Sequence, residues 1–197
     1  MTAQVKSRQR IRDHGEVFTA EREVTAMCDL VKDETERIDS RFLEPACGNG
    51  NFLAEILKRK LSTVKKLYKS NTYDYERYSV LATTSIYGVE ILADNAEECR
   101  KRLFDLWDKE YKNVCKKTAN DETLKSIQYI FSKNILCGNA LTLMCVDENQ
   151  KDTEFPIIFP EWSLLGTKLK RRDFRLDVML KANEKPKDGQ VSLFDIP

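Results

Sequence analysis

FLEPACGNGNFL, residues Phe42 to Leu53, decides the fold of this chain. A short apolar run, Arg41 to Leu43, leads into a turn holding two of the chain's seven glycines, Gly48 and Gly50. Helical periodicity starts directly behind them and runs from about Phe52 to Leu67. Strand, glycine turn and helix in succession form a unit whose ligands bind beyond the carboxyl end of the strand. Glycine there permits positive φ and lets a ligand lie against bare backbone.

The same reading extends in both directions. Upstream, Val17 to about Val31 suits a helix with Thr19 as N-cap and Val24, Met27, Leu30 and Val31 on one face. Arg22 stands where a capping box would place Glu or Gln, so that box is absent. Downstream, Lys69–Glu76 reads as a loop, followed by a helix to about Thr84 and a strand, Ser85 to Ile91. A long amphipathic helix, Asn95 to about Cys115, and a shorter one, about Glu122 to Ser132, come next. Asn134–Leu141 is strand then turn, Asp147–Glu154 a solvated loop, and Pro156–Leu165 a strand ending in something tighter. Strands alternating with helices predict an α/β fold: a parallel sheet with helices on both faces. With about four core strands visible, the sheet is small or is completed by a partner.

Composition narrows the function classes. With 197 residues, 33% charged and 41% hydrophobic, the chain suits one soluble domain with a real core. It lacks an apolar run of ~18 residues, so no membrane partner is expected. The start, Met1 to Glu16, has no apolar signal region, which makes the cytoplasm the expected location. Six cysteines occur with no CxxC pair and a single histidine, His14, so a zinc site is not expected and the thiols read as small buried hydrophobes. Net charge is +1, but Lys6, Arg8, Arg10 and Arg12 make residues 1–14 a loose basic arm. Lys168, Lys170, Arg171, Arg172 and Arg175 form a second basic run. Each can contact phosphates or form a solvated face. Residues 15–180 make the domain, and residues 181–197 have the composition of a flexible tail.

Two ligands compete for the glycine turn, a nicotinamide dinucleotide and S-adenosylmethionine (SAM). The dinucleotide fingerprint needs a third glycine, where Leu53 stands, and an acid about 20 residues on. Glu90, at the end of the next strand, comes far later.

Glu44-Pro45-Ala46-Cys47-Gly48-Asn49-Gly50-Asn51-Phe52-Leu53 resembles the first motif of DNA adenine-N6 methyltransferases, D-P-A-C-G-S-G-x-F-L. Gly15 to Ala20, with Phe18 and Thr19, resembles the G-x-x-[FY]-T-P segment that closes over the methionine end of SAM. Tyr87-Gly88-Val89-Glu90-Ile91 resembles the second motif, whose acid takes the ribose hydroxyls, and Gly138-Asn139-Ala140-Leu141 resembles the third, which faces the adenine of SAM. The order is that of the gamma-type enzymes, found also in methylation subunits of restriction–modification systems. The resemblance covers roughly residues 14–146. It implies a Rossmann-like SAM-dependent methyltransferase fold, SAM as cofactor and DNA as partner. It implies cofactor contacts from Phe18, Thr19, Glu44, Pro45, Ala46, Gly48, Gly50, Phe52, Glu90, Ile91, Asn139 and Ala140. Glu44 is longer than the usual Asp, and Asn139 replaces an Asp, though its amide oxygen still accepts a hydrogen bond.

The family's catalytic tetrapeptide, [DNS]-P-P-[YFW], does not occur. Phe159-Pro160-Glu161-Trp162 stands at its position after an apolar run. The resemblance implies that Trp162 stacks on a flipped base and that Glu161 replaces the lost acceptor; the alternative is a strand end with a buried aromatic. Phe159 offers no side-chain acceptor, and in-line methyl transfer needs the amine aimed by acceptors. Family members continue through further strands and a target-recognition region, so this chain reads as C-terminally truncated. The alternative to a working methylation subunit is a catalytically silent SAM-binding subunit, or an accessory protein, of a DNA-modification complex. Either implies a second methyltransferase or recognition subunit. The last residues, Gln190 to Pro197, resemble the Q-L-x-L-F peptide that docks on the bacterial sliding clamp, with Gln190, Leu193 and Phe194 as its anchors.

Overall fold

The computed structural model describes residues 6–166 and 168–182. The tail residues Gln190, Leu193 and Phe194 lie outside the described residues. In chain order the elements are α1 (Arg8–His14), α2 (Glu21–Asp29), α3 (Lys32–Glu36), β1 (Phe42–Glu44), α4 (Asn51–Tyr68), α5 (Thr72–Thr84), β2 (Ile86–Glu90), α6 (Ala93–Cys115), α7 (Asp121–Asn134), β3 (Ile135–Asn139), β4 (Met144–Val146), β5 (Asp152–Pro156), β6 (Ile158–Leu165), β7 (Lys168–Arg175) and α8 (Leu176–Ala182). Among the described residues no helix is long and apolar enough to cross a membrane.

The sheet is mixed, which corrects the expectation of a parallel one. Its order is β1-β2-β3-β4-β5. β1, β2 and β3 run parallel, whereas β3-β4 and β4-β5 are antiparallel. The difference is one of connection length. Helices separate β1, β2 and β3, as parallel neighbours require, but only short turns separate β3, β4 and β5. The segment read as a solvated loop is therefore a hairpin: Asp147 Oδ1 accepts from the N–H groups of Asn149 and Lys151, and β5 returns from Asp152.

α4 buries Leu53, Leu57, Leu61 and Val64 along one stripe. α5 begins at Thr72, inside the segment read as a loop, because the Asn71 side chain caps it by accepting from the N–H groups of Tyr73 and Asp74. α2 is shorter than expected, and its N-cap is Ala20, not Thr19, with no side-chain cap. In the main core, α4 to α7 pack on the sheet face that carries Ile86 and Ile135, around the stacked and fully buried Trp107 and Tyr111. Each such side chain contributes roughly 1.5–3 kcal/mol of apolar burial. The opposite face, with Tyr87 and Val89, is covered by Ile157, Phe159 and Leu176 at the start of α8.

β6 and β7 form a separate antiparallel hairpin, pairing Ile158 with Arg175 through Leu165 with Lys168. The second basic run is thus a strand. The first is no loose arm from Lys6 onward: α1 is a helix whose Ser7 side chain accepts the Arg10 N–H.

Candidate functional site

β1, β2 and β3 end side by side, and their carboxyl ends bring Glu44, Glu90 and Asn139 to one edge of the sheet. Gly48 and Gly50 adopt φ of +52° and +84°, and Gly50 is the N-cap of α4. A Cβ on Gly50 would lie 2.6 Å from Cys99 Sγ, and one on Gly48 3.1 Å from the Phe18 ring. The glycines therefore serve the protein's own close packing as much as any ligand's approach.

The turn's hydrogen bonds are largely internal. Cys47 N–H donates to the Val89 carbonyl at 2.9 Å, and Gly50 N–H to the Cys47 carbonyl at 2.8 Å. Gly48 N–H donates to Glu90 Oε2 at 2.8 Å, while Leu92 N–H donates to Glu90 Oε1 at 3.0 Å. The buried Glu90 carboxylate thus ties the β1 turn to the β2 turn, and each oxygen keeps a second lone pair.

Two acceptors at the turn are short of donors. Burial pushes the Glu44 carboxyl above its usual range, against a single backbone N–H from Ala46. Asn49, between the two glycines, is 6% exposed, and its Oδ1 has no partner among the described residues. Its Nδ2 donates to Glu98 at 3.4 Å. An orphaned buried acceptor costs about 1–3 kcal/mol and calls for a donor.

The segment before α2 closes over this turn. The Phe18 ring is buried against Gly48. The Thr19 carbonyl accepts from Asn51 Nδ2 at 2.8 Å, and Arg102 holds the Asn51 oxygen. Lys6 and Arg10 of the N-terminal run are paired here. Arg10 bridges Glu16 at 2.7 Å and Asp94 at 2.7 Å, and Asn95 Nδ2 donates to Glu16 at 2.6 Å. Lys6 reaches Asn95 at 2.7 Å and Glu98 at 2.5 Å. The Arg10 guanidinium holds the Glu16 and Asp94 carboxyls below the usual carboxylate range.

The remaining cofactor candidates sit along the same edge. Phe52 packs at the start of α4, Pro45 and Ala46 are exposed in the turn, and the Ile91 carbonyl faces Cys137 Sγ at 3.6 Å. Asn139 closes its own turn: Oδ1 accepts from Leu141 N–H at 3.0 Å and Nδ2 donates to Asp152 at 3.2 Å. Ala140 is partly buried and packs against the smaller core of Tyr87, Val89, Ile157, Phe159 and Leu176.

Phe159, Pro160, Glu161 and Trp162 are not brought to the glycine turn. They lie in β6, and all four are engaged. Phe159 meets Tyr87 edge-on at 5.3 Å, and the Pro160 carbonyl accepts the Tyr87 hydroxyl at 2.8 Å. Glu161 pairs with Arg41 at 2.5 Å, and the Trp162 indole N–H donates to Asn134 Oδ1 at 2.8 Å. Arg41 and Asn134 precede β1 and β3, so Glu161 and Trp162 sit at the amino ends of the strands, a strand's length, roughly 15 Å, from the turn. The physical reason is the hairpin: pairing with β7 carries β6 away from the ligand edge.

Sequence reasoning passed over Asn49, Asn95, Glu98 and the pairing of Lys6 and Arg10. For Asn49 a signal was present, a polar side chain fixed between two turn glycines. The others become visible only when α1 docks on the start of α6.

Comparison with known proteins places these features in context. The family model described as the DNA-methyltransferase domain of MmeI matches residues 20–188. A protein of Methanocaldococcus jannaschii described as a type II restriction enzyme and methyltransferase is 33% identical over 122 residues. That stretch is 60% of this chain and 10% of the other, so the match spans about a tenth of the relative's length. No solved structure matches the chain.

Proposed function

The chain belongs to the MmeI DNA-methyltransferase domain family, and from that footing we propose that it binds S-adenosylmethionine at the glycine turn as the cofactor-holding part of a restriction–modification DNA methyltransferase. The observation that carries this reading is the polarity of the turn. Three of its backbone donors, those of Cys47, Gly48 and Gly50, are already consumed. The side-chain acceptors still short of donors are Glu44, with a backbone N–H from Ala46, and the Asn49 oxygen, which has no partner among the described residues. Such a site suits a ligand bearing an ammonium group beside a carboxylate, the ammonium meeting these acceptors and the carboxylate the uncapped N-terminus of α4.

The residues present fit SAM. Glu44 and Asn49 would take the ammonium, and the uncapped N-terminus of α4 would face the carboxylate. The unused lone pairs of Glu90 would take ribose hydroxyls. Phe18 and Thr19 would exclude water over the methionine end, and Ile91, Asn139 and Ala140 would line the adenine side in the Rossmann-like arrangement. When bound, SAM supplies an electrophilic methyl group. The acceptor is adenine N6 of DNA, the substrate class of the resembling enzymes.

One specific observation favours a holding role over complete catalysis within this chain. Phe159–Trp162 are committed to packing at the far end of the strands. The side chains that aim the target amine then lie outside Phe159–Trp162. Calorimetry of the full chain against SAM and against NAD tests the reading. Micromolar SAM binding with no NAD binding is the expected outcome. NAD binding, or no SAM binding by folded protein, overturns it. Labelled methyl transfer to unmethylated DNA by the chain alone would overturn the holding role and leave the cofactor site standing.

A further inference from the structure

The register of β7 sorts its basic run into two sets. Successive strand residues point to opposite faces, so Lys168, Lys170 and Arg172 share one face with Phe174. Arg171, Asp173 and Arg175 share the other with Leu169. Pairing with β6 sets Leu165, Ser163 and Glu161 across from Lys168, Lys170 and Arg172.

The two faces differ in charge. On the Leu169 face the cations are answered: Arg171 makes two hydrogen bonds to Asp173 and a third to the Tyr129 hydroxyl, and Arg175 pairs with Asp177 at 2.8 Å. The same face turns Trp162 and Leu169 toward the main core. On the other face Lys168, Lys170 and Arg172 are exposed, and among the described residues none of them has a carboxylate within ion-pair distance. Arg172 lies over the Phe174 ring at 4.8 Å. Glu161, the one acid of this face, is taken by Arg41. Four cations therefore stand against one carboxylate.

The shape of this charge points to its occupant. At the rise of a strand the row from Lys168 to Arg172 is roughly 13 Å long. A row of that length reaches several successive phosphates of one nucleic-acid strand. Ser163, exposed opposite Lys170, adds a hydroxyl donor. Proteins that grip single strands stack the bases on aromatic rings. Here Phe174 is half-buried against Arg172, and Trp162 lies on the opposite face. The chemistry thus fits the backbone of a duplex.

We propose that the Lys168–Lys170–Arg172 face of the hairpin anchors the phosphate backbone of duplex DNA without regard to sequence. The choice of DNA rests on the methyltransferase reading above; the charge row does not. Glu161 and Trp162 place the hairpin at the amino ends of the strands, a strand's length from the glycine turn. The anchor therefore holds flanking duplex and does not touch the base that is modified.

The test is fluorescence anisotropy of the full chain with a labelled duplex of arbitrary sequence, across a salt series. Each phosphate contact contributes about 0.9 to the slope of log K against log salt. Lys168→Gln, Lys170→Gln and Arg172→Gln together are expected to lower that slope by about 2.7 and to weaken binding at least tenfold. The same loss of charge at Lys32, Lys101 and Lys112, each paired with its own acid, is expected to leave the slope unchanged. Lys168→Arg, Lys170→Arg and Arg172→Lys together keep the charge and are expected to keep the binding. Calorimetric SAM affinity is expected to be the same for wild type and the hairpin Gln variant. Absent SAM binding with the slope change intact would sink the cofactor reading and leave this surface standing. No duplex binding by wild type, equal slopes for the two Gln variants, or tighter binding of a single strand than of the duplex overturns the proposal. Binding to phosphatidylserine vesicles in place of duplex assigns the row to a membrane and overturns it as well.

Discussion

Glu90 holds Gly48: the carboxylate at the end of β2 accepts the backbone N–H of the first turn glycine at 2.8 Å. With its second oxygen on Leu92 N–H, one buried side chain sets the distance between two strand ends. Any ligand along this edge meets a geometry that Glu90 fixes.

Glu90→Gln should therefore damage both fold and site. The amide offers one acceptor oxygen where two backbone donors converge, and its NH2 opposes the other. A loss of about 1–3 kcal/mol in urea unfolding is expected, with at least tenfold weaker SAM binding by calorimetry. Unchanged stability would mean that the two turns are held by something else.

Gly50→Leu is unsuited to probing the ligand alone. A side chain there meets Cys99 Sγ and a φ of +84°. It should lower stability sharply, as measured by thermal unfolding, before any binding effect can be read. Asn49→Ala is the cleaner probe: it removes the orphaned oxygen, should leave stability unchanged or raised, and should weaken SAM binding.

Trp162→Ala is expected to act on stability, not on the cofactor. It removes an aromatic packed on both cores and strands Asn134 Oδ1, at a cost of about 3 kcal/mol. SAM affinity of the folded fraction should not change. A stable variant with altered SAM affinity would restore Trp162 to the site.

Lys60 gives the fold a pH dependence. Its ammonium is fully buried, donates to the carbonyls of Arg37, Ile38 and Ser40, and is pushed by burial down to about 7. The unfolded chain, with an ordinary lysine pKa of about 10.4, binds more protons between these values, so this residue's contribution to stability rises with pH across that window. Urea unfolding of wild type and Lys60→Met at pH 7 and pH 9.5 should show the wild-type advantage growing. A constant difference would mean that the three carbonyls keep the ammonium charged throughout.

The N-terminal latch has the opposite character. Arg10 lowers the Glu16 and Asp94 pKa values, so its stabilisation is present above the ordinary carboxylate range and is lost as pH falls through the lowered values. These partly exposed pairs contribute at most about 1 kcal/mol each. Arg10→Ala should speed amide exchange in α1 and around Phe18 at neutral pH and leave exchange in α4 unchanged.

Short-range chemistry was legible in the sequence. The glycine turn and the helix behind Gly50 lie within a few residues of one another, and the acid ending β2 closes its own short apolar strand, so each obeys local rules. Long-range partnerships were not. β7 carries Lys168, Lys170, Arg171 and Arg172 and resembles a solvated run, yet it is a strand because β6 pairs with it, and Gly166 at φ +59° after β6 was the available hint. Asn71 and its cap were hidden among tyrosines. The reach of Arg10 to Asp94 spans 84 residues and has no local signature. Trp162 stood at the family position along the chain, and only the hairpin reveals that it points to the far end of the sheet.

The most direct measurement is a titration of isotopically labelled full chain with SAM, following the backbone amide resonances. Shifts concentrated at Gly48, Asn49, Gly50 and Leu92, with Trp162 and its hairpin silent, are the expected result. Shifts confined to β6 and β7, or none at saturating SAM, would contradict the assignment of the glycine turn as the cofactor site.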